Sequence, residues 1–168
     1  MSTSEQAQKH LSLGQGHFFD EPRDVEAAVQ EFRQVIESAP NWDEGYGWLS
    51  SALHELGHLD EAISTRREAM RLAPEDARHP TSLGVILMQQ HKPLEAIEML
   101  CKGISLNPHY GKADAHLFLA EALLANGQIQ EACQEWQLVL TLKPMYPSYE
   151  EPHQEAKRML KVHGRQQI

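Results

Sequence analysis

Three prolines, Pro40, Pro74 and Pro108, are spaced by 34 residues, and a fourth, Pro144, follows 36 residues later. Each closes a similar phrase: VIESAP, RLAP, SLNP and TLKP. A period of this length confines the chain to a tandem array of one supersecondary unit, because a unit too small to bury its own apolar face is stabilised by stacking on its neighbours. Counting back from the prolines aligns further positions. Ala28, Ala62, Ala96 and Ala132 share one phase, and Phe32, Arg66, Leu100 and Trp136 share another that is bulky throughout and apolar in three copies. Earlier in each unit stands a small residue, Gly16, Ser50, Gly84 or Ala120, followed three positions on by Phe19, Leu53, Leu87 or Leu123.

This pattern resembles the tetratricopeptide repeat (TPR) family, whose unit is a pair of antiparallel helices ended by proline. The resemblance covers about residues 9–144 and implies an all-α fold, an α-α superhelix forming a right-handed solenoid of helix pairs. A single domain over 1–168 is expected, with repeats at about 9–42, 43–76, 77–110 and 113–146, a capping helix at 148–163 and a short tail at 164–168. The two extra residues of the last repeat fall most simply in the turn at 109–112.

The physics of the pattern supports the same layout. Small residues facing an alanine let two helix backbones approach, and the bulky phase fills the space beside them. Proline ends the second helix because it lacks an amide donor and disfavours helix at the residue before it. Gly57 and Gly127 suit the turn between the two helices, where a left-handed conformation is cheap for glycine. Repeat 3 has His91-Lys92-Pro93 there, with Pro93 placed for a first helical turn. Pro80 predicts that the first helix of repeat 3 starts at Arg78 or His79. Repeat 1 departs most, with Gln15 where leucine is usual and the turn Asp20-Glu21-Pro22-Arg23-Asp24. Ser148 with Glu151 reads as a capping box for a last helix that tolerates Pro152 early and stops at Gly164. Tyr149, Ala156, Met159, Leu160 and His163 recur at helical spacing and would cover repeat 4. Nine helices and no sheet are expected.

Residues 54–58 read HELGH, which matches the H-E-x-x-H signature of zinc peptidases. That signature needs an unbroken helix, so that histidines four apart converge on one metal. Here Gly57 is a turn glycine and His58 lies past the helix end, so no zinc site is expected. His17 and His54 fall on the same expected groove, but they lie on different repeats and no third ligand is evident. No phosphate loop, nucleophile elbow or acid and base pair is present either. Cys101 and Cys133 form no C-x-x-C pair and read as reduced, buried thiols. The chain is accordingly expected to be no enzyme and to need neither metal nor cofactor.

A formal charge of −9 argues against nucleic acid and anionic membrane as partners. The one basic cluster, Lys157, Arg158, Lys161 and Arg165, suits the negative end of a C-terminal helix. MSTSEQAQKHLSLGQG lacks an apolar stretch of signal-peptide length, and no run reaches the roughly 20 apolar residues of a membrane span, which predicts a cytoplasmic location.

The resemblance implies that the first helix of each repeat lines a concave peptide-binding groove. The corresponding positions are Leu13 and His17 in repeat 1, and Gly47, Trp48, Ser51, His54 and Glu55 in repeat 2. In repeat 3 they are Arg78, Thr81, Ser82, Val85 and Met88, and in repeat 4 Leu117, Phe118, Glu121 and Leu124. Trp48 stands one position before the core leucine Leu49, so it is either an anchor for a partner side chain or a ring covered by a neighbouring helix. Trp42 and Trp136 read as core. Members of the family that clamp a C-terminal carboxylate use Lys and Asn side chains with an Arg, and the matching places here hold Leu13, His17, Trp48, Arg78 and Ser82. Only Arg78 suits that role, so the expected partner is an apolar or amphipathic segment of a protein, bound by an adaptor. A self-assembling, homo-oligomeric scaffold is the alternative, and a small chaperone of secretion substrates is a variant of the adaptor.

Overall fold

The computed structural model describes residues 2–107, 112–143 and 150–164. Among them every regular element is an α-helix: α1 (Thr3–Phe19), α2 (Val25–Ser38), α3 (Asp43–Glu55), α4 (Leu59–Leu72), α5 (Arg78–Gln89), α6 (Pro93–Leu106), α7 (Lys112–Ala125), α8 (Ile129–Thr141) and α9 (Glu151–His163). They form two compact units, Met1–Glu75 with α1 to α4 and Asp76–Ile168 with α5 to α9. Within each unit every helix packs on the next in sequence, and α9 rests on both α8 and α7.

The alanine phase explains how the pairs close. Ala28, Ala62, Ala96 and Ala132 are fully buried. Opposite Ala96, a Cβ on Gly84 would stand 2.6 Å from Leu100 Cγ and 3.2 Å from the Ala96 carbonyl, so only glycine permits that approach. The bulky phase is buried in all four copies, including Arg66. A buried guanidinium is costly unless its donors are met. Arg66 Nε donates to Ser50 Oγ at 3.2 Å and its Nη2 to Ser51 Oγ at 2.8 Å, while Ser50 Oγ donates to the Ala62 carbonyl at 2.8 Å. Serine at the small position of repeat 2 thus compensates for arginine at the bulky one.

Turns two to four share a conformation. Gly57 and Gly127 have φ of +77° and +80°, and His91 takes the same place in repeat 3 with φ of +56°. For a side-chain-bearing residue that geometry costs roughly 1–2 kcal/mol. The same turn disposes of HELGH. His54 and Glu55 end α3, Gly57 reverses the chain, and His58 is the N-cap of α4, so the five residues are no continuous helix.

Helix α5 starts at Arg78 with Pro80 in its first turn, and α6 starts on Pro93, as the spacing predicts. The N-cap of α9 is Glu150, without a side-chain cap bond. Ser148 and Tyr149 lie outside the described residues, as do Pro108, Pro144 and the turn residues 109–111. Ala156 and Pro152 are buried in the cap, and the His163 ring stacks on Trp136 at 5.8 Å and 23°. Trp136 is fully buried, whereas Trp42 is half-buried at the N-cap of α3.

Three expectations need correction. The first concerns repeat 1. A Cβ on Gly14 would lie 2.5 Å from the Phe32 ring, whereas one on Gly16 would approach nothing nearer than the Asp20 carboxylate at 3.4 Å. Gly14 therefore does in repeat 1 what Gly84 does in repeat 3, and the first helix is displaced by two residues. The displacement arises in the turn between α1 and α2, which spans residues 20–24, against 56–58 in repeat 2. Loops absorb such insertions at little cost, whereas packed helix faces do not. Phe19 consequently leaves the core and is 59% exposed. Gln15 is no longer a misfit, because Leu13 takes the leucine phase. Second, α1 starts well ahead of residue 9, on a capping box in which Ser2 Oγ accepts from Glu5 N–H and the Glu5 carboxylate accepts from Ser2 N–H. The motif Ser2-Thr3-Ser4-Glu5 was its sequence signal. Third, Cys133 is buried but Cys101 is exposed.

Candidate functional site

In the first unit the expected groove residues divide sharply. Trp48 is half-buried within a cluster of rings: it stacks on Phe32 at 5.9 Å and 22°, and meets Phe19 edge-on at 5.6 Å and Phe18 at 6.2 Å. The two-residue displacement explains the cluster, for it gives Phe18 and Phe19 the phases that His54 and Glu55 hold in repeat 2. Phe18 and Phe19 are thus residues of this face that counting from the prolines missed. The guanidinium of Arg23 lies 5.3 Å above the Phe18 ring, and its Nη2 donates to Glu55 at 3.1 Å. Ser51 turns away from the face, its Oγ donating to the Gly47 carbonyl and accepting from Arg66. His54 is half-buried in the last turn of α3, and Leu13 and His17 are exposed on α1. Trp48 is therefore braced by its own helices rather than projecting freely.

In the second unit α5 and α7 touch each other and carry the remaining positions. Arg78 is engaged by Asp76, with Nε at 2.9 Å and Nη2 at 2.6 Å from Oδ2. That hydrogen bonding holds the Asp76 carboxyl below its usual range, against the opposing effect of burial. Thr81 donates to the Ala77 carbonyl at 2.8 Å, and its hydroxyl sits where a side chain on Gly103 would go, so it faces α6. Val85, Met88, Leu117, Phe118, Glu121 and Leu124 are all half-buried, neither core nor freely solvated.

Two of these residues meet the cap. Leu117 and Phe118 on α7, with Glu151, Pro152, Gln154, Glu155 and Arg158 on α9 and Asp114 at the start of α7, line an open cavity of about 580 Å³. Its floor is apolar, supplied by Leu117, Phe118 and Pro152. Its rim is charged, with Arg158 hydrogen-bonded to Glu155 along the same helix at 2.7 Å. One turn past Leu117, Glu121 has its carboxyl pushed up, chiefly by burial and then by the negative charge of Glu155, with Arg158 acting the other way. Nothing in the repeat pattern announces this cavity, because it needs α9 to close beside α7. An apolar floor with a few charges at its edge is suited to seating a side chain from another molecule.

Family models described as tetratricopeptide repeat match residues 43–76 and 87–145. Small glutamine-rich tetratricopeptide repeat-containing protein 2 of Mycosarcoma maydis is 27% identical over 86 residues, 51% of this chain and 24% of that protein. The chain thus spans about a quarter of the length of this curated relative. The crystal structure of MamA protein is similar at a TM-score of 0.76 and 20% identity, over 96% of this chain and 84% of that one. A mutant O-GlcNAc transferase of Thermobaculum terrenum is similar at a TM-score of 0.76 and 22% identity, over 84% of this chain but 27% of that enzyme. At such identities the likeness to the solved structures is one of fold. Among the described residues, no helix is long and apolar enough to cross a membrane.

Proposed function

Because this chain belongs to the tetratricopeptide repeat family, whose repeats make it a protein–protein interaction module, we propose that it is a non-enzymatic adaptor that binds an apolar or amphipathic segment of a partner protein. The first-helix face of the second unit is the proposed seat. The observation that carries this reading is the α7–α9 cavity, whose volume suits a bulky side chain and whose floor holds the half-buried Leu117 and Phe118. Half-buried apolar groups lose their remaining contact with water when a ligand covers them, and interfaces gain most of their affinity at a few such sites. Val85, Met88 and Leu124 extend the apolar surface along α5 and α7.

The test is selection of a displayed random-peptide library on the full-length chain, followed by titration of the selected peptides. Phe118→Ala is expected to weaken them by about 2 kcal/mol with an unchanged helical circular dichroism spectrum. Peptides that bind the variant as tightly as the parent would remove the cavity from the binding surface. Sedimentation at the same concentrations separates peptide binding from self-association.

A further inference from the structure

The charges around the cavity restrict what it accepts. Among the described residues, three carboxylates, Asp114, Glu151 and Glu155, line it together with one cation, Arg158, which is hydrogen-bonded to Glu155. Glu121, one turn past Leu117 on α7 and beside this lining, adds a half-buried fourth carboxylate close enough to Glu155 and Arg158 to feel both charges. The half-buried Glu121 carboxylate is disfavoured in the empty protein, chiefly by its removal from water and then by the charge of Glu155, with Arg158 offsetting part of this, whereas Glu155 is held in its charged form by Arg158. Resting on the adaptor reading above, we propose that the cavity selects segments in which an apolar side chain is flanked by lysine or arginine. The apolar group seats on Leu117, Phe118 and Pro152, and the cation reaches Glu121 and Glu155. An acidic segment would bring like charge into the same space, so the site rejects it as well as favouring the basic one. The chain's formal charge of −9 acts in the same direction by steering cationic segments toward it.

The experiment reads the composition of the peptides selected on the full-length chain, then uses the synthesised winners as probes. Enrichment of Lys or Arg next to Leu, Met or Phe is expected. Replacing the basic residues of a winner by Gln should weaken binding about tenfold, and its affinity should fall as salt rises. Glu121→Gln, a nearly isosteric change, should narrow the affinity gap between the Lys-containing peptide and its Gln counterpart, and an undiminished gap would overturn the role given to Glu121. Selected peptides that are apolar without basic enrichment, or acidic, would overturn the charge selection. If those same peptides still lose affinity in Phe118→Ala, the adaptor reading survives and only this inference fails. If no selected peptide responds to Phe118→Ala, both fall.

Discussion

Repeats 1 and 4 make the same contacts with different connections. In each, a histidine on the first helix meets a glutamate on the second: His10 Nδ1 lies 2.6 Å from Glu31, and His116 Nδ1 lies 2.6 Å from Glu135. The partners are 21 residues apart in repeat 1 and 19 apart in repeat 4. The difference is the longer turn between α1 and α2. Each repeat also buries an aromatic residue at the bulky phase and stacks a ring from a following element on it, Trp48 on Phe32 and His163 on Trp136, at 22° and 23°. Helix pairing thus holds its geometry while the connecting turn changes length, because the free energy lies in buried faces and the loop adds only a slowly growing entropy term.

The sharpest way to break this equivalence is to empty both cores. Phe32→Ala and Trp136→Ala are each expected to destabilise by about 3–5 kcal/mol in urea melts. A loss under about 1 kcal/mol for Phe32→Ala alone would show that repeat 1 is not packed like repeat 4. The register itself is tested by a pair of glycines. Gly14→Ala should cost about 1–3 kcal/mol because its Cβ meets the Phe32 ring. Gly16→Ala should be neutral or stabilise by up to about 1 kcal/mol, since it replaces a helix-interior glycine and its Cβ would meet only the Asp20 carboxylate, at 3.4 Å. The reverse order would restore the register counted from Pro40. The smallest effects belong to the histidine pairs. Glu31→Ala and Glu135→Ala should each cost about 0.5–1.5 kcal/mol and by similar amounts. A clear inequality would mean that the two pairs are not equivalent.

Period, helix pairs and the turn glycines were legible because each follows from local chemistry. Proline removes a donor wherever it stands, glycine alone takes a left-handed turn freely, and an alanine recurring in phase marks a close approach. The buried alanines, the bulky phase and the start of α5 under Pro80 all came from such rules. The site was less legible. Val85, Met88, Leu117, Phe118, Glu121 and Leu124 emerge half-buried on the first-helix face of the second unit, but Thr81 and Ser51 turn toward the second helices and Glu55 is engaged by Arg23.

The sequence by itself determined that this chain is a stack of helix pairs and which residue types each position demands, because those demands repeat with the period and need no knowledge of distant contacts. Only the tertiary structure decided the displacement of α1, the bracing of Trp48 by Phe18, Phe19 and Phe32, the serine partners of Arg66 and the cavity between α7 and α9. Each of these depends on where one helix comes to rest against another across a turn of variable length. Periodicity within a helix carries no information about that turn.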